Sequence, residues 1–357
     1  MKYLIQNLVR HISYMFYKLS ARKIKINSNG DIIYIANYYL GDFIICLPFF
    51  YALKAEFPNS RLFILGKQEF IPIYKKLLIP ETYFIKIENF NWKDINIVIN
   101  EFQISELKLI IDETGKRSIV LNAFLNRIDI IGKNSLGNAI FYSYCVNLST
   151  TSGFDLLEFR FKFLVPFKID YNRKYLEYVK FKGLKKNNKQ KYITIQPFAG
   201  WDSKSITQDF INQIANYFKN EGYEVILLGS AKDIKKIDKK LAASCTNFVG
   251  KLSLEKTIDI IFNSRLNISA DSFSSHLCYF LKVKSITFFG PTNPNVLGYS
   301  SNKNLYINEP ISCMPKGMIQ YCSYDAGRSC NNYLCMKGLS LNQKLINKIN
   351  ILLYEVD

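Results

Sequence analysis

The sequence predicts an α/β protein with two doubly wound, Rossmann-like domains and an interdomain cleft for ligands. Short apolar runs alternate with helical patterns in two separate stretches, as expected for βαβ units and parallel sheets. A polar, basic segment, KGLKKNNKQK, lies between these stretches. The chain has 357 residues, which is enough for two domains that each bury a core.

The first stretch combines short strands with helices that start or end at glycine and proline. Its elements, in chain order, are a strand at Asp31–Asn37, a tight turn at Tyr38–Asp42, a helix at Phe43–Phe57, strands at Arg61–Leu65 and Leu107–Asp112, a turn at Gly115, a helix ending at Leu125 and a strand at Ile128–Ile131.

The second stretch repeats this alternation more regularly. Its elements are a strand at Tyr192–Gln196, a helix at Gln208–Asn220, a strand at Glu224–Leu228, a helix at Ile234–Cys245, a short strand at Phe248–Val249, a helix at Leu254–Phe262 capped by Ser253, a strand at Leu266–Ser269, a helix at Ser274–Leu281, a strand at Ser285–Phe289 and a last helix near Leu341–Tyr354. The predicted organisation is an N-terminal helix at 1–23, a first domain at 24–180, a linker at 181–191, a second domain at 192–312 and a Cys-containing segment with a final helix at 313–357.

Composition narrows the class of protein and of partner. Hydrophobic residues make up 48% of the chain, but no stretch reaches the ~18 unbroken apolar residues of a spanning helix, so we expect a soluble globular protein. The formal net charge of +18 is consistent with an anionic partner, such as a phosphorylated glycolipid or a membrane surface. It is equally consistent with a generally Lys- and Asn-rich composition. Nucleic acid is disfavoured because zinc-finger spacing and an aromatic-basic run are both absent from the sequence.

Residues 1–23 predict a basic amphipathic helix, because apolar residues recur at helical spacing among lysines and arginines. The segment lacks the unbroken apolar core and small-residue cleavage site of a signal peptide. Two interpretations stay open. The helix either lies on an anionic membrane face or packs on the body of the protein.

The eight cysteines fall into two groups. Apolar surroundings predict inert core residues for Cys46, Cys145, Cys245 and Cys278. The second group, here called the Cys cluster, is confined to the C-terminal region and consists of Cys313, Cys322, Cys330 and Cys335. These four residues predict a structural zinc or iron site, free thiols or disulfides, and the spacing alone does not choose among them.

The most informative segment is Leu266–Pro294, in which a strand ends at Asp271 and Ser272 and a helix follows. Asp and Ser are preferred helix N-cap residues, and a helix N-terminus beyond a strand's carboxyl end favours an anion such as a diphosphate. His276 lies one turn into this helix, where its ring either reaches the anion or serves a structural role.

Three further polar residues follow predicted strands. Asp42 is placed to act as a general base, or is simply part of a Gly-Asp turn. Lys204, in a loop with Gly200, suits phosphate binding, although exposed lysines are common in this chain. Asp233 either accepts hydrogen bonds from a ribose or stabilises a helix start.

The order and spacing of several segments between Asp31 and Pro294 resemble glycosyltransferase family 9, the ADP-heptose:lipopolysaccharide heptosyltransferases. The matching segments are LGDFIICLPFFYALKAEFP, DETGKRS, QPFAGWDSK, VILLGSAKD, VGKLSLEKT, ADSFSSH and FFGPTNP. The resemblance implies a two-domain GT-B fold, with acceptor bound by the first domain and nucleotide sugar by the second. It also implies a last helix that crosses back to the first domain.

The resemblance also implies roles for individual residues. Asp42 matches the catalytic base and Arg117 a basic position on the acceptor side. The donor-binding positions match Ala199, Gly200, Lys204, Asp233, Asp271, Ser272, Phe273 and His276. Phe273 departs from the family, which has glycine there, so a large side chain is expected beside the sugar-phosphate pocket.

The implied function is inverting transfer of a heptose from ADP-heptose to an anionic lipopolysaccharide core acceptor. No cofactor is required for this catalysis, because a lysine and a helix start meet the charge on the leaving group. A cytoplasmic protein, peripheral on the inner face of the inner membrane, is expected. The alternatives are a protein or a capsule or exopolysaccharide acceptor with another nucleotide sugar, and a non-catalytic nucleotide- or glycan-binding protein.

Overall fold

The computed structural model contains two compact units, one ending at Lys180 and one beginning at Phe181. The structure describes residues 9, 12–18, 30–36, 38–133, 137–146, 156–172, 174–187, 190–297, 301–309, 311–313, 322, 330 and 332–354.

The described part of the first unit contains a six-stranded parallel sheet. Its strands are β1 (Asp31–Ala36), β2 (Leu62–Gly66), β3 (Thr82–Lys86), β4 (Leu107–Asp112), β5 (Asp129–Lys133) and β6 (Tyr144–Val146). The order β3-β2-β1-β4-β5-β6 is that of a doubly wound Rossmann sheet. The strand order reverses between β1 and β4, so ligands are expected beyond the carboxyl ends of these two strands.

Helices cover both faces of this sheet, which is why β1 (DIIYIA) is buried along its whole length. They are α1 (Leu40–Ile45), α2 (Leu47–Glu56), α3 (Ile71–Lys75), α4 (Trp92–Glu101), α5 (Arg117–Leu125), α6 (Leu156–Phe161) and α7 (Lys174–Glu177). Residues 12–18 are also helical, and Tyr17 belongs to the core of this unit with 7% of its surface exposed.

The second unit repeats the same sheet order. Its strands are β7 (Tyr192–Gln196), β8 (Glu224–Leu227), β9 (Thr246–Asn247), β10 (Asn267–Ala270), β11 (Ser285–Phe289) and β12 (Asn304–Asn308). They pair in parallel in the order β12-β11-β10-β7-β8-β9, with the reversal between β10 and β7. Its helices are α8 (Gln208–Asn220), α9 (Lys239–Ser244), α10 (Leu254–Asn263), α11 (Phe273–Leu281), α12 (Pro294–Leu297), α13 (Leu334–Lys337) and α14 (Gln343–Tyr354). The α/β class and two doubly wound sheets predicted from the sequence are confirmed.

The last helix, α14, packs within the second unit, whereas the family resemblance implied that it crosses back to the first. Leu345, Ile349 and Leu352 belong to the core of the second unit. Tyr217 Oη donates to Asn350 Oδ1 at 2.8 Å, which ties α14 to α8. The apolar face of α14 is therefore used to complete the second unit's own core.

The helix predicted at Phe43–Phe57 is two helices, α1 and α2, separated at Cys46. Pro48 lies in the first turn of α2, where its missing N–H is not needed, so it marks a new helix start. The predicted turn at Tyr38–Asp42 is also partly wrong. Gly41 and Asp42 already lie in the first turn of α1, and Gly41 is not among the described residues with a left-handed backbone.

Two predictions after β8 are also corrected. The helix expected at Ile234–Cys245 is a 3₁₀ helix at Ala231–Lys236 followed by α9, because Asp238 caps a new helix by accepting a hydrogen bond from Leu241 N at 2.7 Å. The strand expected at Phe248–Val249 lies at Thr246–Asn247.

The described residues include no helix that is both long and apolar enough to cross a bilayer.

Candidate functional site

Asp42 lies in the first turn of α1, just beyond the carboxyl end of β1. Its side chain is 28% exposed, so one side of the carboxylate can meet a ligand. On its other side, Arg160 Nη2 approaches Asp42 Oδ1 at 3.7 Å. The Asp42 carboxylate therefore contacts Arg160 on one side and is accessible on the other. A carboxylate in this position at the edge of the sheet is suited to accept a proton.

Arg160 is the centre of a buried polar cluster that sequence reasoning missed. Its side chain is 6% exposed, and its Nε lies 3.4 Å from Glu113 Oε1. The guanidinium carbon lies 5.1 Å from the ring centroid of Tyr38. Tyr34 Oη donates a hydrogen bond to the same Glu113 oxygen. A buried arginine is thus held between two carboxylates and an aromatic ring.

Three uncharged side chains, those of Tyr34, Tyr38 and Cys46, complete this cluster. Tyr34 Oη and Tyr38 Oη lie 3.0 Å apart, and Tyr38 Oη donates to Cys46 Sγ at 3.0 Å. Burial, together with the neighbouring Cys46 and Glu113, raises the pKa of both tyrosines well above its ordinary value. Burial raises the pKa of Cys46 to about 12. All three groups are therefore neutral near pH 7.

Arg117 is the first residue of α5, and its exposed guanidinium lies 5.9 Å from the ring centroid of Phe141. The preceding loop is held by buried Asp112, which accepts hydrogen bonds from Thr114 N at 2.8 Å and Gly115 N at 3.1 Å. Gly115 has φ 65°, so the predicted turn needs glycine. This loop delivers Arg117 to the same edge of the sheet as Asp42, because β4 pairs directly with β1.

In the second unit, Lys204 and Asp271 form a tight pair. Lys204 Nζ donates to Asp271 Oδ2 at 2.6 Å, and Thr292 Oγ1 donates to the same oxygen at 2.7 Å. Lys204 also lies over the ring of Trp201, with Nζ 4.4 Å from the centroid. These residues follow β7, β10 and β11, which are neighbours in the sheet, so their carboxyl ends bring them together. Thr292 was not predicted, although it lies in the FFGPTNP segment.

Asp271 is only 3% exposed. Burial acts to raise the pKa of its carboxyl group, but Lys204, His276 and Thr292 outweigh burial and lower it. Asp271 is therefore ionised, and it holds the Lys204 ammonium at the carboxyl end of the sheet.

The start of α11 differs in one respect from the sequence prediction. Ser272 is the N-cap, but its side chain does not cap the helix, and Ser272 Oγ lies 3.2 Å from Ser274 Oγ instead. The carboxylate of the preceding Asp271 bonds to Lys204 and Thr292. Phe273, the first helical residue, is partly exposed, and His276 is buried with 6% exposed. A helix start without a side-chain cap leaves N–H groups that an anion can accept from.

Asp233 has local partners of its own. Its Oδ2 accepts from Ser230 N at 2.9 Å and from Ser230 Oγ at 2.6 Å, and Lys236 Nζ lies 3.6 Å from Oδ1. This is the helix-start role that the sequence left open beside ribose binding. Ala199 and Gly200 lie in the loop after β7, and a side chain at Gly200 would meet open space.

Two buried polar atoms near the end of β7 add to the candidate donor site. Within the described ranges, Gln196 Oε1 and Ser203 Oγ have no hydrogen-bond partner. A buried polar atom without a partner costs free energy, and a ligand can supply the missing hydrogen bond. Sequence reasoning missed both residues, although each lies within or beside the QPFAGWDSK segment.

All eight cysteines are free thiols, and within the described residues the side chains of His, Cys, Asp and Glu form no group arranged to hold a metal ion. The thiols of the Cys cluster nevertheless influence one another. The pKa of Cys335 is raised to about 11, mainly by burial and also by repulsion from Cys330, Cys313 and Cys322. In the part of the chain that the structure describes, the arrangement of these four thiols does not fit a tetrahedral metal site.

The comparisons with known proteins agree with these observations. The model of Glycosyltransferase family 9 (heptosyltransferase) matches residues 166–323. Lipopolysaccharide heptosyltransferase 2 of Salmonella typhimurium is 31% identical over 98 residues, which cover 26% of this chain and only 28% of that relative. Lipooligosaccharide heptosyltransferase 2 of Campylobacter jejuni is 23% identical over 327 residues, which cover 87% of this chain and 95% of the relative.

Solved structures share the backbone fold at low sequence identity. A family 9 glycosyltransferase from Veillonella parvula has a TM-score of 0.75 and 16% identity, covering 94% of this chain and all of the other. ADP-heptose LPS heptosyltransferase II of E. coli has a TM-score of 0.69 and 17% identity, covering 90% and 98%. TibC of enterotoxigenic E. coli, described as an iron-containing dodecameric glycosyltransferase, has a TM-score of 0.57 and 13% identity, covering 91% and 77%.

The sheet order of the two units and their likeness to these structures define the GT-B fold. Within that fold, the chain is similar to glycosyltransferase family 9, whose model matches residues 166–323, and to heptosyltransferases along most of its length.

Proposed function

We propose that this protein is an inverting glycosyltransferase that moves a heptose from ADP-heptose to a lipopolysaccharide core acceptor. The observation that carries the proposal is the Lys204–Asp271 pair beside the uncapped start of α11. The relatives that are named as heptosyltransferases make heptose the first sugar to test.

On the donor side, the leaving group is a nucleoside diphosphate, so negative charge grows on its terminal phosphate as the bond to the sugar breaks. Lys204 and the N–H groups at the start of α11 would meet that charge. Asp271 keeps Lys204 in place without capping the helix, which leaves those N–H groups for the phosphates. Gln196 and Ser203 offer buried polar atoms for further contacts with the donor.

On the acceptor side, Asp42 would accept the proton of an acceptor hydroxyl. The hydroxyl oxygen would form a bond to the anomeric carbon while the bond from that carbon to the diphosphate oxygen breaks. The electron pair of the broken bond goes to the diphosphate, and the configuration at carbon inverts. Arg117 and the overall charge of +18 support an anionic acceptor.

A donor-binding screen and a transfer assay test this function. Titration calorimetry with ADP, UDP and GDP is expected to give binding to ADP at least about tenfold tighter than to the other two. ADP-heptose with heptose-free lipopolysaccharide is expected to release ADP and extend the acceptor. A preference for UDP or GDP would assign another nucleotide sugar. The absence of both binding and turnover would instead indicate a non-catalytic protein.

A second candidate function uses a protein or a capsule or exopolysaccharide acceptor. Phe273 favours it, because a large side chain at the start of α11 changes the space that is available to the transferred sugar. The Cys cluster also favours it, because TibC is described as containing iron. The donor screen with a panel of acceptors separates this function from the first.

A structural zinc or iron in the Cys cluster is a proposal that depends on closer approach of the thiols than the structure has. We expect purified protein to carry about one zinc or iron per chain, and the variant Cys313→Ser/Cys330→Ser to lose it. Inductively coupled plasma mass spectrometry gives the metal content. Cys245→Ser is the control, since Cys245 lies outside the cluster. Metal-free wild-type protein with four titratable thiols would contradict the proposal.

Peripheral contact with the inner face of the inner membrane is proposed from the helix at 12–18. Ser13 and Tyr17 are buried on one side, whereas Val9, Ile12, Met15 and Phe16, here called the exposed stripe, are 40–67% exposed. An apolar face on a basic protein is suited to an anionic bilayer.

We expect Ile12→Ser/Met15→Ser/Phe16→Ser to reduce binding to phosphatidylglycerol vesicles by about tenfold or more, because it removes the apolar surface that would enter the bilayer. Sedimentation with vesicles measures this. Ile97→Ser/Leu125→Ser removes equally exposed apolar side chains elsewhere in the first unit and is expected to have no effect. Equal sedimentation of all three proteins would contradict membrane contact through the stripe.

A further inference from the structure

The Asp42 carboxylate has one cationic neighbour in the described part of the first unit, and that neighbour is buried. Arg160 lies on α6 with its side chain 6% exposed, and its Nη2 is 3.7 Å from Asp42 Oδ1. The guanidinium is held from two other directions, by Glu113 at 3.4 Å and by the face of Tyr38 at 5.1 Å. A planar guanidinium that is fixed at two sides offers its remaining N–H groups in one defined direction.

The cluster contains two carboxylates but only one guanidinium among the residues just described. Arginine is protonated at any ordinary pH, so Arg160 supplies one positive charge against the carboxylates of Glu113 and Asp42. Among the described residues, the other titratable groups that face the cluster are Tyr34, Tyr38 and Cys46, which are neutral near pH 7. Lys67 reaches its edge, where its Nζ donates to the Tyr38 carbonyl oxygen at 2.9 Å.

This inequality matters for a base. An arginine paired with a single carboxylate strongly favours the ionised form and makes that carboxylate a poor proton acceptor. Here Glu113 lies nearer to Arg160 than Asp42 does, and it also accepts from Tyr34. Glu113 therefore balances part of the positive charge of Arg160, while Arg160 stays close enough to orient the Asp42 carboxylate.

We propose that Arg160 is a positioning residue, which fixes the Asp42 carboxylate for proton transfer while Glu113 balances its charge. The proposal rests on the proposed function of Asp42 as base. In this arrangement Tyr38 and Glu113 fix the position of the Arg160 guanidinium. Arg160 in turn fixes the position of the Asp42 carboxylate.

Opposite shifts of the pH profile are the distinguishing result. Removing the cation in Arg160→Met is expected to move the acidic limb of kcat to higher pH by about one unit, because a neighbouring cation favours the ionised carboxylate. Glu113→Gln is expected to move the same limb to lower pH, because Arg160 then acts on Asp42 alone. Arg160→Met is also expected to lower kcat about tenfold or more with little change in KM for ADP-heptose, since misplacement of a reacting group is costly.

The variants are chosen so that loss of folding does not hide the result. Arg160→Met leaves the Glu113 carboxylate buried without its cation, which can destabilise the fold. The double variant Arg160→Met/Glu113→Gln removes both buried charges together and is therefore measured as well. Arg160→Lys keeps the positive charge but loses the planar guanidinium geometry. It is expected to leave the acidic limb of the kcat–pH profile in place and to lower kcat in part. Arg61→Met is the matched control, because it removes an arginine from the pair with Asp31 in the same unit and is expected to leave the pH profile unchanged.

A double-mutant cycle in thermal unfolding tests the contact independently of activity. The melting temperatures of Asp42→Ala, Arg160→Met and the double variant are expected to be non-additive by about 2 °C. Full activity of Asp42→Ala would reject the base and hence the proposed function, whatever the cycle shows. Loss of activity in Asp42→Ala would retain the base. If Asp42 is retained as the base, two results would overturn the role of Arg160. One is an acidic limb of kcat that does not move in either Arg160→Met/Glu113→Gln or Glu113→Gln. The other is an additive double-mutant cycle.

Discussion

Asp42→Ala is expected to lower kcat by about 10²–10⁴-fold while leaving the affinity for ADP unchanged. The carboxylate lies at the carboxyl end of β1 with 28% of its side chain exposed, in a unit separate from the residues that we assign to the donor. Removing it would take away the proposed proton acceptor and leave the proposed phosphate-binding residues intact. ADP release with ADP-heptose and heptose-free lipopolysaccharide gives kcat, and calorimetry gives the affinity for ADP.

Asp42→Asn separates the loss of a base from the loss of a side chain, because the amide keeps the shape and cannot accept the proton. It is expected to be about as inactive as Asp42→Ala. Asp94→Ala, in the first turn of α4, is the control for removing a helix-start carboxylate in the same unit, and is expected to change stability but not kcat. An Asp42→Ala enzyme with full kcat would show that the acceptor is deprotonated elsewhere.

Lys204→Met is expected to lower kcat by about 10²–10³-fold and to weaken ADP binding, because its ammonium would stabilise the charge on the leaving diphosphate. The same change removes the cation that faces Asp271 at 2.6 Å. Since Asp271 is 3% exposed, an uncompensated buried carboxylate is expected to cost about 3 kcal/mol of unfolding free energy. Chemical denaturation, together with the ADP-release assay, measures both effects.

The pH dependence of stability gives Lys204→Met a second readout. Burial opposes ionisation of Asp271, but Lys204 and its other partners hold its folded-state pKa below the ordinary value. The stability from this group is therefore present above the unfolded-state pKa of ~3.9 and is lost as the pH falls through the folded-state pKa. Without Lys204 that pKa rises, so the variant is expected to lose stability at higher pH than the wild type.

Lys236→Met is the matched control for these measurements. Lys236 also pairs with an aspartate, Asp202, at 2.7 Å, but Asp202 is 67% exposed. An exposed pair contributes about 1 kcal/mol or less, so this variant is expected to remain close to wild type in stability and ADP release. If both lysine variants behaved alike, the burial of Asp271 would not be the source of the effect.

The periodicity of the sequence was sufficient to predict the fold class and several elements closely. The helix predicted at Gln208–Asn220 has those bounds, because its apolar face has a clean helical period and Thr207 caps it. Breaks inside apolar runs could not be read in the same way. The run around Cys46 is apolar throughout, so no change of period marks the end of α1 there.

The candidate donor residues could be predicted because neighbouring strands in a parallel sheet end at one edge, which brings Lys204 beside Asp271. Their functional roles stay predictions. Arg160 could not be placed beside Asp42, because no local pattern links residues so far apart in sequence. A signal existed in the run FRFKFLV, where a charged arginine among aromatic residues indicates a buried partner. Glu113 lay inside the DETGKRS segment, but only the folded chain shows that it points to Arg160.

The burial of Cys46 beneath Asp42 also decides how thiol reagents will act on this protein. Its pKa of about 12 leaves almost no thiolate at neutral pH, and the pKa of Cys145 is likewise raised to about 12. Because alkylating agents react with the thiolate, iodoacetamide should spare both sites in the folded protein. Labels added at neutral pH should therefore enter first at exposed Cys313, so a fluorophore can be attached at the C-terminal region without disturbing the helix that carries Asp42.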